Sequence, residues 1–189
     1  TDYLGFTQPV CLSFYVCGSA PEINAPPDIN IECRADLPAP YSDLASFMAD
    51  GGTASDDCSM LNESSFQLVS DVSDGLSCPE TITRTYEIYD TCGMVGQTIH
   101  TIVIDDVTDP SISCPADINI NTDPGVCYAE NVTIGDAIAN DNCGVETLVN
   151  DAVLQYPVGT TTITWTATDS CGNFVTCTQD VTVTDNEDP

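Results

Sequence analysis

Apolar and polar residues alternate with a period of two through the last third of the chain. In TTTITWTATD, residues 160–169, Ile163, Trp165 and Ala167 alternate with Thr162, Thr164, Thr166 and Thr168. Successive strand side chains point to opposite faces, so this pattern predicts a strand with one buried face. After the turn DSCGN, Val181 and Val183 alternate with Asp180, Thr182 and Thr184, as the second arm of a hairpin requires. DINI at 117–120 and AENVTI at 129–134 predict two more strands around the Asp123-Pro124-Gly125 turn. The one helix-like stretch is YSDLASFMAD at 41–50.

The strand pattern repeats. DTCG at 90–93 and DSCG at 169–172 each reach a proline, Pro110 and Pro189, 20 residues after the aspartate. PPDINI at 26–31 and PADINI at 115–120 fix an offset of 89 at the start of the repeat, against 79 at its end, so an insertion lengthens the earlier copy. Thr1, Asp2, Gly5 and Cys11 lie where Thr168, Asp169, Gly172 and Cys177 lie. The expected organisation is the C-terminal strands of a preceding repeat at 1–20, a variant repeat at 21–109 with its insertion near 41–50, a second repeat at 110–188, and the start of another at Pro189. The chain then reads as an excerpt of a longer array. Short alternating strands with turns about every 8 to 12 residues, in units of roughly 80 to 90 residues, point to an all-β fold of tandem immunoglobulin-like β-sandwiches. Trp165 and its counterpart Tyr86 are the expected core aromatics.

Composition narrows the function classes. The formal charge is −28, Arg34 and Arg84 are the only strong bases, and lysine is absent. Nucleic acid and anionic membrane are poor partners for such a surface. The apolar runs are short, so neither a spanning helix nor a signal peptide is expected within these residues. The 11 cysteines, spaced alike in both repeats and without a CxxC pair, suit disulfides in an oxidising compartment, which predicts a secreted or cell-surface location.

The DP-ended joints, SCP at 113–115, PVGTTTITWTATD at 157–169 and CGN at 171–173 resemble the HYR (hyalin repeat) module, a match that covers the last repeat fully. The 21–109 repeat departs from it, with APP at 25–27, CPETITRTYEIYD at 78–90 and GMVG at 93–96, and resembles a variant from long surface proteins of Bacteroidota. The resemblance implies an immunoglobulin-like, extracellular, non-enzymatic segment serving adhesion or structure, in the manner of surface filaments and gliding adhesins exported by the type IX system. Its partners would be neighbouring repeats, other copies in a filament, or a surface glycan or protein. A ligand-binding ectodomain, with the 41–50 insertion as its grip, and the accessory array of a secreted enzyme are the rival readings.

Within a sandwich, the loop carrying Cys58 and the hairpin turn carrying Cys92 fall at one pole, which predicts the pairs Cys58–Cys92 and, in the next repeat, Cys143–Cys171. Cys33 is expected to bond Cys78 and Cys114 to bond Cys177. Cys11 and Cys17 fall in the truncated repeat, and Cys127 is left as the odd thiol, expected to be buried.

Acids gather at the joints and polar loops: Asp105, Asp106 and Asp109, then Asp185, Glu187 and Asp188, with Asp141, Asn142, Asp169 and Asn173 in the loops beside them. Calcium takes roughly six to eight oxygen ligands, so these residues are candidate calcium ligands, with the region of Asp106 favoured. The competing reading is that Asp and Asn simply bond the backbone of turns. His100 aligns with Gln179, which predicts a solvated strand position. Without a second histidine no triad is available, and catalysis is not expected. Arg84 aligns with Ile163 and is expected to point inward and pair with a carboxylate.

Overall fold

A computed structural model describes residues 18–57 and 60–187. The chain divides into two compact units that cut across the sequence repeats. Unit 1 holds the described residues through Ile29 together with Pro38–Asp74 and Ile82–Ile102; unit 2 holds Asn30–Leu37, Gly75–Thr81 and the chain from Val103 onward. Three short segments of the 21–109 repeat therefore cluster with the repeat that follows it.

The earlier repeat supplies strands β1 (Glu22–Asn24), β2 (Ile29–Ile31), β3 (Thr53–Ser55), β4 (Leu61–Ser73), β5 (Glu80–Asp90) and β6 (Val95–Ile104). They form a four-stranded sheet in the order β2-β6-β5-β4 and a two-stranded sheet β1-β3. The insertion folds into helix α1 (Leu44–Ala49), started by Asp43, whose carboxylate accepts from the Ser46 amide at 2.7 Å. A side-chain oxygen there satisfies an amide that the first turn leaves unpaired. The helix buries Leu44 and Phe47 against Ile23, Phe66, Tyr86 and Ile88. Phe66 stacks on Tyr86 at 5.5 Å, and the Tyr86 hydroxyl accepts from the Tyr41 amide at 3.1 Å. The core of unit 1 is thus aromatic, with the insertion as one of its walls.

The later repeat supplies β7 (Ser111–Ser113), β8 (Ile118–Asn121), β9 (Tyr128–Glu130), β10 (Ile138–Asn140), β11 (Val145–Asn150), β12 (Gln155–Pro157), β13 (Gly159–Asp169) and β14 (Phe174–Thr184). Its four-stranded sheet runs β11-β13-β14-β8, with β14 and β8 parallel, and two-stranded sheets join β10 to β7 and β12 to β9. The alternation read from the sequence is realised: Ile163, Trp165, Ala167, Val181 and Val183 are buried while the intervening threonines face outward or are half-buried. With Ala129, Ala137 and Tyr156 they form the core of this unit. The order of the sheets repeats between the two copies, and the fold is an immunoglobulin-like β-sandwich.

The shared register extends to polar groups. Asp28 accepts from the Thr101 amide at 3.2 Å and Asp117 from the Asp180 amide at 3.0 Å, the same tie one repeat apart. Where the later repeat joins Cys114 to Cys177, the pair expected from the sequence, the earlier one has the Ala25 amide donating to the Thr98 hydroxyl at 3.1 Å. His100 is not on a solvated face as its alignment suggested. It is 1% exposed, as is Gln179, because this position faces the strand that opens each repeat: His100 Nε2 lies 3.2 Å from the Pro27 carbonyl, and Gln179 Nε2 donates to the Ala116 carbonyl at 2.7 Å. Arg84 is buried as expected, with its Nε donating to Asp71 at 3.1 Å.

Two expected bridges are replaced. Cys33 bonds Cys143, not Cys78, and Cys78 bonds Cys171, so that Cys143 and Cys171 are not joined to each other. The Cα separations, 5.1 and 5.2 Å, are ones a disulfide spans. The division of the chain allows this: all four cysteines belong to unit 2, where segments of both sequence repeats cluster. Cys92 is disulfide-bonded, whereas Cys58, Cys11 and Cys17 lie outside the described residues. Cys127, expected to be buried, is exposed and free, since it ends the loop before β9 and faces away from the core.

Candidate metal centre

The turn after β13 shows how these loops use their acids. Asp169 is 1% exposed, and its Oδ1 accepts from the amides of Cys171 and Asn173 at 2.8 and 2.9 Å, while Oδ2 accepts from the Asn173 side chain at 2.8 Å. Burial pushes the carboxyl up, but the bonds from the Asn173 side chain and from the amides of Cys171, Asn173 and Gly172 outweigh it and hold the group below its usual range. Asp90 makes the same turn, accepting from Cys92 and Met94 at 2.9 and 2.7 Å. Gly93 and Gly172 close the two turns at φ 85° and 90°, backbone that residues with a Cβ rarely adopt. Asp169 is therefore committed to its hairpin and is a poor candidate for a metal.

Asp106 and Asp141 differ. Each fixes one oxygen on local amides: Asp106 Oδ1 accepts from Thr108 at 3.1 Å, and Asp141 Oδ1 from Cys143 and Gly144 at 2.8 and 2.9 Å. In each the second oxygen, Oδ2, is buried with no hydrogen-bond partner. Asp106 is 3% exposed and Asp141 half-buried. A carboxylate oxygen from each, with Cys143 Sγ, lies within 4.8 Å of the others, the one such grouping of His, Cys, Asp and Glu among the described residues. Leaving a buried carboxylate oxygen unmatched is costly.

Asn142 ties the pair to a third acid. Its amide donates to Glu32 Oε2 at 2.7 Å and, more weakly, to Asp106 Oδ1 at 3.4 Å, and the Thr108 hydroxyl donates to the same Glu32 oxygen at 3.0 Å. Asn173 donates to the Asp106 carbonyl at 2.8 Å. Glu32 and Asp106 thus share one polar network in unit 2, and Asp141 precedes its central residue, Asn142. The one arginine of this unit, Arg34, is paired with Glu80. Cys143 is oxidised in its bridge to Cys33 and offers no thiolate, so the available donors are oxygens, the set that hard cations take and zinc sites with Cys or His do not resemble.

Of the candidate ligands read from the sequence, the structure gathers Asp106, Asp141, Asn142 and Asn173, with Asp169 bonded to Asn173. Asp105 and Asp109 lie outside the grouping. Asp185 accepts from the Glu187 amide at 3.0 Å, a local turn, and Glu187 accepts from the Gly125 amide at 3.0 Å, 62 residues away, so both are spent on backbone. Asp188 lies outside the described residues. Glu32 was missed because it stands 110 positions from Asn142, and no local pattern joins them.

A HYR domain profile matches residues 105–183. Residues 105–183 are a HYR domain. The domain carries the Asp169 hairpin and both unmatched carboxylates. The chain is 38% identical over 104 residues to "Sushi, von Willebrand factor type A, EGF and pentraxin domain-containing protein 1" of Rattus norvegicus and 40% identical over 104 residues to that of Mus musculus. The alignment covers 52% of this chain and 3% of each relative. Among solved structures, extracellular cadherin domains 1–4 of protocadherin gamma B7 overlap 88% of this chain and 51% of theirs, at TM-score 0.32 and 14% identity. No helix among the described residues is long and apolar enough to cross a membrane.

Proposed function

We propose that this chain is a non-enzymatic structural and adhesive segment of a long secreted or cell-surface repeat protein, in which disulfides between the two sequence repeats carry tension along the chain. The observation that carries this reading is the pair of bridges Cys33–Cys143 and Cys78–Cys171, each of which joins a residue of the 21–109 repeat to one of the 110–188 repeat. A boundary held by hydrogen bonds opens one group at a time under load. A boundary with two covalent ties opens fully only after chemical reduction. The relatives' name, which lists four further domain types, supports a multidomain extracellular setting. The ligand-binding reading loses its main support, since α1 in the 41–50 insertion spends Leu44 and Phe47 on the core of unit 1 and does not offer them to a partner.

Single-molecule extension of the whole chain tests this. With the bridges intact, the 110-residue span between Cys33 and Cys143 is shielded from tension. Adding reductant should release roughly 380 Å of extra contour length at about 3.5 Å per residue. Equal contour lengths with and without reductant would remove the ground for a tension-bearing role.

A further inference from the structure

We infer that the HYR domain binds one hard divalent cation, calcium, between Asp106 Oδ2 and Asp141 Oδ2. An acidic cluster alone would not carry this, because acids are abundant on this surface. The deciding feature is that Asp106 is 97% buried by its 3% exposure and still keeps an oxygen without a hydrogen-bond partner, as does Asp141, the carboxylate that shares its grouping of ligand atoms within 4.8 Å of one another. Neighbouring carboxylates with buried, unmatched oxygens repel unless a cation offsets their charge. A cation site explains why each aspartate anchors only Oδ1 on backbone amides: those bonds orient the carboxylates and leave the second oxygen of each free to coordinate.

The remaining donors fit calcium better than its competitors. Glu32 stands in the same hydrogen-bonded network, reached through the Asn142 side-chain nitrogen, and water completes the shell, since calcium tolerates irregular geometry and roughly six to eight oxygens. Magnesium demands near-octahedral order that an irregular loop does not supply. Zinc is disfavoured because the nearby sulfur is a disulfide. Asp106 opens the matched segment and Asp141 lies near its middle, so a bound ion would fasten the entry of the HYR domain to the loop before β11.

The test is calorimetric titration of the intact, oxidised chain with calcium chloride after chelator treatment. We expect one saturable site per chain with a dissociation constant of about 0.1 to 1 mM, the range of extracellular modules, and a higher melting temperature in calcium than in chelator. The double variant Asp106→Asn, Asp141→Asn should weaken binding at least about 10-fold while keeping the near-ultraviolet signature of Trp165. If that variant does not fold, Asp141→Asn alone, at a half-buried position, is read the same way. Absence of saturable heat up to about 10 mM calcium, or unchanged affinity in the variants, would overturn the assignment: the first result means that the pair holds no calcium, the second that calcium collects elsewhere on the acidic surface.

Discussion

His100 and Gln179 occupy one position of the repeat and do one task with different chemistry. Each is buried in a strand and reaches the backbone carbonyl two residues before the DINI isoleucine, Pro27 in one repeat and Ala116 in the other. Gln179 Nε2 also donates to the Ile134 carbonyl at 2.8 Å, so one side chain serves two segments. Gln179→Ala would leave the Ala116 and Ile134 carbonyls without this donor, and urea denaturation should show a loss of about 1–3 kcal/mol with little change in slope. His100→Gln, which copies the other repeat, should hold stability near the parent value, whereas His100→Ala should lower it. If His100→Ala were neutral, the bond to Pro27 would contribute nothing. Arg84 tells a related story, for it stands where the HYR domain has Ile163 and compensates its burial with Asp71.

Among the elements, the hairpin turns that carry Asp90 and Asp169 are the best specified by local sequence. The aspartate side chain accepts from amides two and four residues on, and glycine closes the turn with positive φ. Because hydrogen bonding holds the folded-state value of Asp169 below 3.8, the sign of its pH effect is fixed. The stabilisation is fully present above the unfolded-state value and disappears as pH falls through the lower folded value. Urea midpoints measured from about pH 5 down to about pH 2 should therefore decline in the parent chain, and Asp169→Asn should decline less steeply over that window. A variant as acid-sensitive as the parent would show that other carboxylates govern the loss. The 41–50 helix was also legible, through Asp43 ahead of an apolar pair at Leu44 and Phe47, but its placement against Phe66 and Tyr86 depended on contacts between distant strands.

For the whole molecule, cysteine connectivity separates the two sources of information most sharply. Cys33 and Cys78 have no counterparts in the last repeat, where Thr122 and Pro157 stand, while Cys143 and Cys171 answer to Cys58 and Cys92. That mismatch was a visible sign that pairing would not stay within a repeat. Since the chain has 30 acids and only 2 strong bases, cleavage after acidic residues suits peptide mapping better than trypsin does. Mapping without reductant should recover Cys33 linked to Cys143 and Cys78 linked to Cys171; a Cys33–Cys78 peptide would contradict the fold described for unit 2.

The sequence by itself determined the strands, their repeat, the hairpin turns, the inward aromatics Tyr86 and Trp165, and the HYR character of the last repeat, because period-two burial and turn chemistry act between near neighbours. Tertiary structure alone decided which cysteines meet, which aspartates serve turns and which keep an oxygen unmatched, and that His100 lies inside. Those outcomes depend on distances between segments as far apart as Glu32 and Asn142, and burial is set by what packs across a strand, not by the residue that occupies it.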